Sequence, residues 1–183
     1  MTKRVLVPIA NGSEEIEAVC LIDILRRAGA EVTVASVEPE LEVTAARGVK
    51  LTADCLIGEC ARVPYDLVAL PGGMPGAERL AASAPLIELL TRQRDGGRLY
   101  GAICASPAVV LEPHGLLEGR RATAHPAFAD RLKDQTAVQE RVVADGPCLS
   151  SRGPGTAIEF ALALVEALYG QAKARDIKAA MLA

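Results

Sequence analysis

The sequence predicts an α/β fold, a doubly wound and mostly parallel sheet with helices on both faces, built as a single domain over residues 1–183. Three observations carry this expectation. Short apolar runs at residues 4–10, 31–37 and 67–70 are bounded by glycine, proline or polar turn residues, the pattern of strands buried on both faces. Helical stretches fall between these runs, so strands and helices alternate, which favours parallel strands joined by crossover helices. The chain has 183 residues and is 50% apolar, enough for one domain with a substantial core.

The first strand spans residues 4–10, with Pro8 late enough to sit near a strand end or bulge. Asn11-Gly12-Ser13 forms a turn, and a helix runs over 14–28, ending at Gly29, a residue suited to a left-handed cap. Glu14 and Glu15 at its start and Arg26 and Arg27 at its end complement the helix dipole. Glu17 breaks that simplicity. The residues three, four, seven and eight positions on are Cys20, Leu21, Ile24 and Leu25, which places Glu17 on an apolar row. It is either a helix-end residue whose carboxylate reaches water, the usual case, or a buried acid kept for chemistry.

The second strand spans 31–37. Residues 39–57 are short and mixed, compatible with a small hairpin or edge strands around Arg47-Gly48. The strand at 67–70 ends in Pro71-Gly72-Gly73. Glycines after a strand let backbone N–H groups approach a ligand or form an oxyanion hole, although a bare turn is the commoner meaning of such a tripeptide. A helix is expected over 85–94. Beyond Gly115 and Gly119, Ala122-Thr-Ala-His125-Pro126 leads into a short polar helix. Residues 141–146 and 148–151 suggest a hairpin closed at Asp145-Gly146. Arg152-Gly-Pro154-Gly-Thr156 opens a long helix over 157–168, with Pro154 or Thr156 near its first turn. Residues 171–183 hold one last helix, exposed or packed on the core or a partner.

The segment from Arg98 to Leu111 reads as a strand that stops at Cys104 and turns at once into a helix of about two turns, with Pro107 in its first turn. At a helix N-terminus the dipole and free N–H groups favour an anion, which lowers a thiol pKa and populates the nucleophilic thiolate. Small neighbours leave the sulfur reachable. The plainer alternative is a packed core cysteine, since unpaired cysteines are among the most buried side chains. Taken locally the two stand level. His125 is a candidate partner that could accept the thiol proton or stabilise thiolate. In doubly wound folds, ligands sit at the carboxyl ends of strands. The loop after the first strand, Gly72-Gly73 and Cys104 all lie there.

Composition excludes several classes. A net charge of -3 and a sequence pI near 5.5 give no basic excess for nucleic acid. With no Trp, two Phe and three Tyr, the chain lacks base-stacking platforms. The apolar runs fall well short of the roughly 20 residues that cross a bilayer. Acidic Glu14, Glu15 and Glu17 follow the first apolar run, unlike a signal peptide, so a cytoplasmic location is expected. Five irregularly spaced cysteines and two histidines form neither a zinc pattern nor a disulfide framework.

The combination Gly12-Ser-Glu-Glu-Ile-Glu17, Leu70-Pro-Gly-Gly73, Ala102-Ile-Cys104-Ala-Ser-Pro107 and Ser151-Arg-Gly-Pro-Gly-Thr156 resembles the ThiJ/PfpI superfamily. Within it, the chain is most similar to the branch holding a Parkinson-linked protein deglycase and the bacterial YajL chaperone. The resemblance runs over essentially the whole chain in order. It implies a flavodoxin-like fold, a homodimer, and a site needing neither metal nor organic cofactor. By resemblance, Cys104 is the nucleophilic, oxidation-sensitive cysteine and Glu17 the acid that hydrogen-bonds it. Gly72, Gly73 and Ala105 supply the donors near the sulfur, and His125 matches a histidine near the site in some members. Arg47, Arg152 and Pro154 line the pocket, with Arg27 a structural residue near the pocket and dimer interface. The proteolytic branch carries a histidine directly after the cysteine, and here that position is Ala105, so a PfpI-type protease would lack its base.

Two functions follow as expectations. In the first, Cys104 attacks methylglyoxal, or an early aldehyde adduct on a protein or nucleotide, while Glu17 moves the protons, with His125 assisting. In the second, the protein is a redox-responsive chaperone or sensor whose signal is Cys104 oxidation.

Overall fold

The computed structural model describes residues 2–183. Every apolar run identified above becomes a strand of one seven-stranded sheet, because these residues must bury side chains on both faces. The first half of the chain contributes β1 (Arg4–Ile9), α1 (Glu15–Arg27), β2 (Glu31–Ser36), β3 (Glu42–Thr44), β4 (Lys50–Thr52), β5 (Cys55–Leu56), α2 (Ile57–Cys60) and β6 (Leu67–Leu70). It continues through α3 (Gly76–Ala82), α4 (Ala84–Asp95), β7 (Leu99–Ile103), β8 (Val142–Asp145), β9 (Cys148–Ser151), α5 (Ala157–Tyr169) and α6 (Gln171–Met181).

The strand order is β5-β2-β1-β6-β7-β9-β8, parallel except for β8, which runs antiparallel to β9. From β1 the chain builds outward through β2 to β5, then returns to the other side of β1 with β6, β7 and β9. The switch point between β1 and β6 therefore opens a crevice at the carboxyl ends of those strands. The short β3–β4 hairpin stands apart as a second sheet, with Gly48 in its turn at φ +86°.

Alternation along each strand feeds two cores. Val5, Val7 and Ile9 of β1 and Leu67 and Ala69 of β6 join one core with α1, α5 and α6. Leu6, Val68, Leu70, Tyr100 and Ala102 point to the other, beneath α2, α3 and α4. Helix α1 buries Ala18, Leu21, Ile24 and Leu25, and ends as expected beside Gly29, whose φ is +90°. Helix α6 packs on α5 of its own chain through Ala174 and Ile177. No helix among the described residues is long and apolar enough to cross a membrane.

Three local expectations change. Helix α3 occupies residues between the Gly72-Gly73 turn and the helix over 85–94, where the sequence reading places no element. The two-turn helix expected after Cys104 is instead a five-residue π-turn over Pro107–Leu111, with the Glu112 N–H donating to the Pro107 carbonyl at 2.9 Å. Only a single 3₁₀ turn, Ala129–Arg131, stands where a short polar helix was expected.

Gly101 of β7 shows how tightly α5 sits on the sheet. A Cβ there would lie 2.9 Å from the Leu149 carbonyl oxygen, 3.2 Å from Phe160 Cζ and 3.3 Å from Leu164 Cδ2. Gly101→Val should therefore cost about 1–3 kcal/mol or more in urea denaturation through overpacking. Gly58→Ala, in α2 with nothing within 4 Å of the added carbon, should be neutral or slightly stabilising. Equal stability of the two variants would refute this packing.

Candidate active site

Strand β7 ends at Ile103, and the next residue, Cys104, has φ +66°, a left-handed conformation that side chains other than glycine rarely adopt. Two backbone bonds hold it there. The Cys104 N–H donates to the Ser151 carbonyl at 2.9 Å, and the Cys104 carbonyl accepts from the His125 N–H at 2.8 Å. Such a residue stores on the order of 1–3 kcal/mol of strain and persists because its surroundings over-determine it. The reversal from strand to helical turn sets the sulfur at the carboxyl edge of the sheet, where the crevice opens.

That position requires glycine across the cleft floor. A Cβ on residue 72 would come within 2.5 Å of Cys104 Cβ and 2.7 Å of the Ile103 carbonyl oxygen. Gly73 has φ +86°, and a Cβ on it would meet the Gly12 carbonyl oxygen at 2.5 Å. The Gly72-Gly73 pair is thus a close-approach device and more than a turn.

Glu17, in the first turn of α1, is 0% exposed. Its Oε2 accepts the Gly72 N–H at 2.7 Å, whereas its Oε1 is buried without a hydrogen-bond partner. Burial pushes this carboxyl up from 4.5 to about 7, against the opposing pull of the Gly72 N–H and the Cys104 thiol. At neutral pH it is divided between acid and carboxylate. The thiol adjoins it closely enough that each group shifts the other.

Cys104 itself is 9% exposed, and burial pushes its thiol up to about 12. The Glu17 charge adds to the rise, while the backbone N–H groups of Gly73 and Ala105 pull the other way. The expectation of a depressed thiol pKa from a helix N-terminus is therefore corrected. The helical segment is a short π-turn, and its effect is outweighed by desolvation and a neighbouring acid. Between roughly pH 7 and 12 the pair keeps one proton, held on the thiol, with Glu17 a carboxylate beside it.

Above the sulfur lies a cleft of about 240 Å³. Cys104, Gly73, Ala105, Arg47, His125 and Pro154, all expected at the site, line it together. Gly72 and Glu17 lie beneath, joined to each other. Arg152 is not on the cleft wall. It is half-buried with its Nε unpartnered, and it precedes Gly153, whose added Cβ would reach the His125 ring at 3.4 Å. Arg27 is not brought to the site. It sits in the last turn of α1, ten residues and about 15 Å along the helix from Glu17, paired with Asp23 at 2.6 Å. The basic end of α1 points away from the carboxyl ends of the strands, which is why it misses the cleft.

His125 Nδ1 accepts the Ala127 N–H at 3.2 Å, so the neutral ring carries its proton on Nε2. It is suited to donate to a substrate oxygen more than to accept the thiol proton. Glu14, Ala46, Met74 and Phe128 complete the lining and were not singled out from sequence. Met74 follows the glycine pair directly, and that adjacency was the available signal. A larger groove of about 660 Å³ lies elsewhere, between β8, α5 and α6, and neither Cys nor His lines it. Among the described residues no cluster of three or more His, Cys, Asp or Glu could hold a metal ion.

Comparison with known proteins agrees with this architecture. The DJ-1/PfpI family matches residues 3–167. Protein DJ-1 homolog B of Arabidopsis thaliana is 53% identical over 181 residues, covering 99% of this chain and 41% of that protein, so the chain spans less than half that relative's length. Glutathione-independent glyoxalase DJR-1.2 of Caenorhabditis elegans is 36% identical over 177 residues, covering 94% of this chain and 91% of that protein. The solved structure of oxidized Toxoplasma gondii DJ-1 superposes with a TM-score of 0.97 at 51% identity, covering 99% and 98% of the two chains. With the flavodoxin-like sheet, the glycine pair and the strand-end cysteine in place, the chain belongs to the DJ-1/PfpI family.

Proposed function

We propose that the chain is a cysteine-dependent, cofactor-independent glyoxalase-type enzyme acting on methylglyoxal or on early aldehyde adducts of proteins or nucleotides. The observation that carries this reading is the buried Glu17 carboxyl, raised to about 7, beside Cys104. A base with a pKa near the working pH is matched to proton transfer. As sulfur attacks the aldehyde carbon, Glu17 takes the thiol proton and passes it to the carbonyl oxygen, which completes the hemithioacetal and leaves Glu17 a carboxylate. The His125 Nε2–H and the Gly73 and Ala105 N–H groups are the donors at hand for that oxygen. Glu17 then removes the proton from the thiol-bearing carbon and returns it to the neighbouring carbon, while the hydroxyl proton moves from the first oxygen to the second, converting the adduct to a lactoyl thioester. Water hydrolyses the thioester to lactate and restores the thiol, so methylglyoxal plus water yields lactic acid. The similarity to a relative named as a glutathione-independent glyoxalase supports the same chemistry.

Lactate formation from methylglyoxal by the wild type should rise with pH through about 7 in kcat/KM, following Glu17 ionisation. Cys104→Ser should remove turnover, and Glu17→Gln should lower it by about 10²–10⁴ and flatten the limb near pH 7. Equal rates in all three proteins would exclude the mechanism.

A second reading, a redox-responsive chaperone or sensor, is favoured by the likeness to an oxidized DJ-1 structure. The N–H groups of Gly73 and Ala105 and a protonated Glu17 are donors suited to a sulfinate on Cys104. Peptide mass spectrometry after mild peroxide should show Cys104 modified before Cys20, Cys55, Cys60 and Cys148. Uniform oxidation would sink this reading.

We also propose that the protein acts as a homodimer in which a second copy covers the outer face of α1, where Ile16 and Val19, one turn apart, are 52% and 47% exposed. Sedimentation equilibrium should give twice the 19.1 kDa of one chain, and Val19→Glu should shift the mass toward a single chain. A wild type sedimenting as a monomer would overturn the proposal.

A further inference from the structure

Glu15 is a buried acid that the mechanism above does not use. It is 7% exposed, its Oε1 accepts the Arg47 backbone N–H at 2.8 Å, and its Oε2 is buried without a partner. A buried carboxylate satisfied on one oxygen alone is costly to fold, so a stabilising role does not account for it. What it does is tie down the β3–β4 hairpin, whose loop supplies Ala46 and Arg47 to the wall of the cleft.

That hairpin has two strands of three residues each and would be marginal by itself. Val43, buried in the core, anchors one face of it, and hydrogen-bond tethers to the loop between β1 and α1 and the first turn of α1 hold its tip. The Gly12 N–H donates to the Thr44 carbonyl at 2.9 Å, and the Ala46 N–H donates to the Ser13 carbonyl at 2.8 Å. The Thr44 N–H donates to Asn11 Oδ1 at 2.8 Å. The Glu15 bond is the last of the series, sits next to the cleft, and has a charged acceptor, which makes it the strongest of the set. The Arg47 guanidinium bonds its own chain at the Ala46 carbonyl, 3.3 Å away, so its position follows the backbone that Glu15 holds.

We infer that Glu15 is a positioning residue: through the Arg47 N–H it fixes the hairpin wall that limits access to Cys104 and shapes the substrate side of the cleft. The effect on turnover rests on the enzyme reading above, whereas the effect on access to the thiol does not.

The test follows iodoacetamide alkylation of Cys104, Cys20 and Cys55 in the same molecules by peptide mass spectrometry, in wild type, Glu15→Ala, Glu15→Gln and Asn11→Ala. Glu15→Ala should speed alkylation of Cys104 several-fold with Cys20 and Cys55 unchanged, and Glu15→Gln, which keeps an acceptor for the Arg47 N–H, should stay close to wild type. Asn11→Ala cuts a neighbouring tether and should move Cys104 in the same direction even where Glu15→Ala folds poorly. With methylglyoxal, Glu15→Ala should raise KM about tenfold with little change in kcat. Unchanged Cys104 rates in both alanine variants, or a parallel rise at all three cysteines, would overturn the assignment. A wild type without methylglyoxal turnover would count against the enzyme reading alone, and the alkylation rates would still decide the role of Glu15.

Discussion

The site hangs on a single hydrogen bond, from the Gly72 N–H to the buried Glu17 carboxyl. It joins the start of α1 to the loop after β6 and places an acid with no solvent access beside the cysteine that follows β7. Desolvation favours the neutral acid, and the Gly72 donor favours the carboxylate. The balance leaves Glu17 near 7, where it can both take and return a proton at neutral pH. Without the donor, burial would hold the group more firmly neutral and make it a weaker base. Without burial, it would be an ordinary carboxylate with little affinity for a thiol proton.

The same contact limits what the surrounding backbone can be. Residue 72 must lack a side chain, because its Cα lies against Cys104, and Cys104 must accept a left-handed conformation to put its sulfur over the crevice. Both constraints arise because neighbouring strands β6 and β7 end side by side and their loops turn into the same space. The β1–α1 loop closes the arrangement. Its Glu14 N–H donates to the Gly72 carbonyl, its Ser13 and, at the start of α1, Glu15 hold the hairpin, and Glu17 follows in the same first turn. One loop thus organises the cleft floor, the cleft wall and the base.

Much of this was legible in the chain. Cys104 and Gly72-Gly73 stood out because apolar runs end abruptly at them, and in a parallel sheet such ends share one edge. Glu17 stood out because helical periodicity put a carboxylate on a row of Leu, Ile and Cys. The burial of Glu17 resolves the choice the helix pattern left open. The direction of the thiol shift was not legible. The dipole argument used only residues near Cys104 in sequence, whereas desolvation and the Glu17 charge come from elements far along the chain. The distance of Arg27 from the cleft of its own chain was not legible either, because a motif-level resemblance carries no information about which end of a helix faces the crevice. Met74 and Phe128 line the cleft through loop conformation, which leaves no periodic trace.

By itself, then, the sequence determined the alternation of strands and helices, the apolar faces that force a two-sided parallel sheet, and the set of strand ends where chemistry is concentrated. These are local properties, set by side-chain periodicity and turn residues within a few positions of one another. Only the tertiary structure decided which groups share a proton, which nitrogen of His125 is free to donate, and how Glu15 comes to hold a hairpin more than thirty positions away. Each depends on distance and on exclusion of water, and both arise only when separate elements pack.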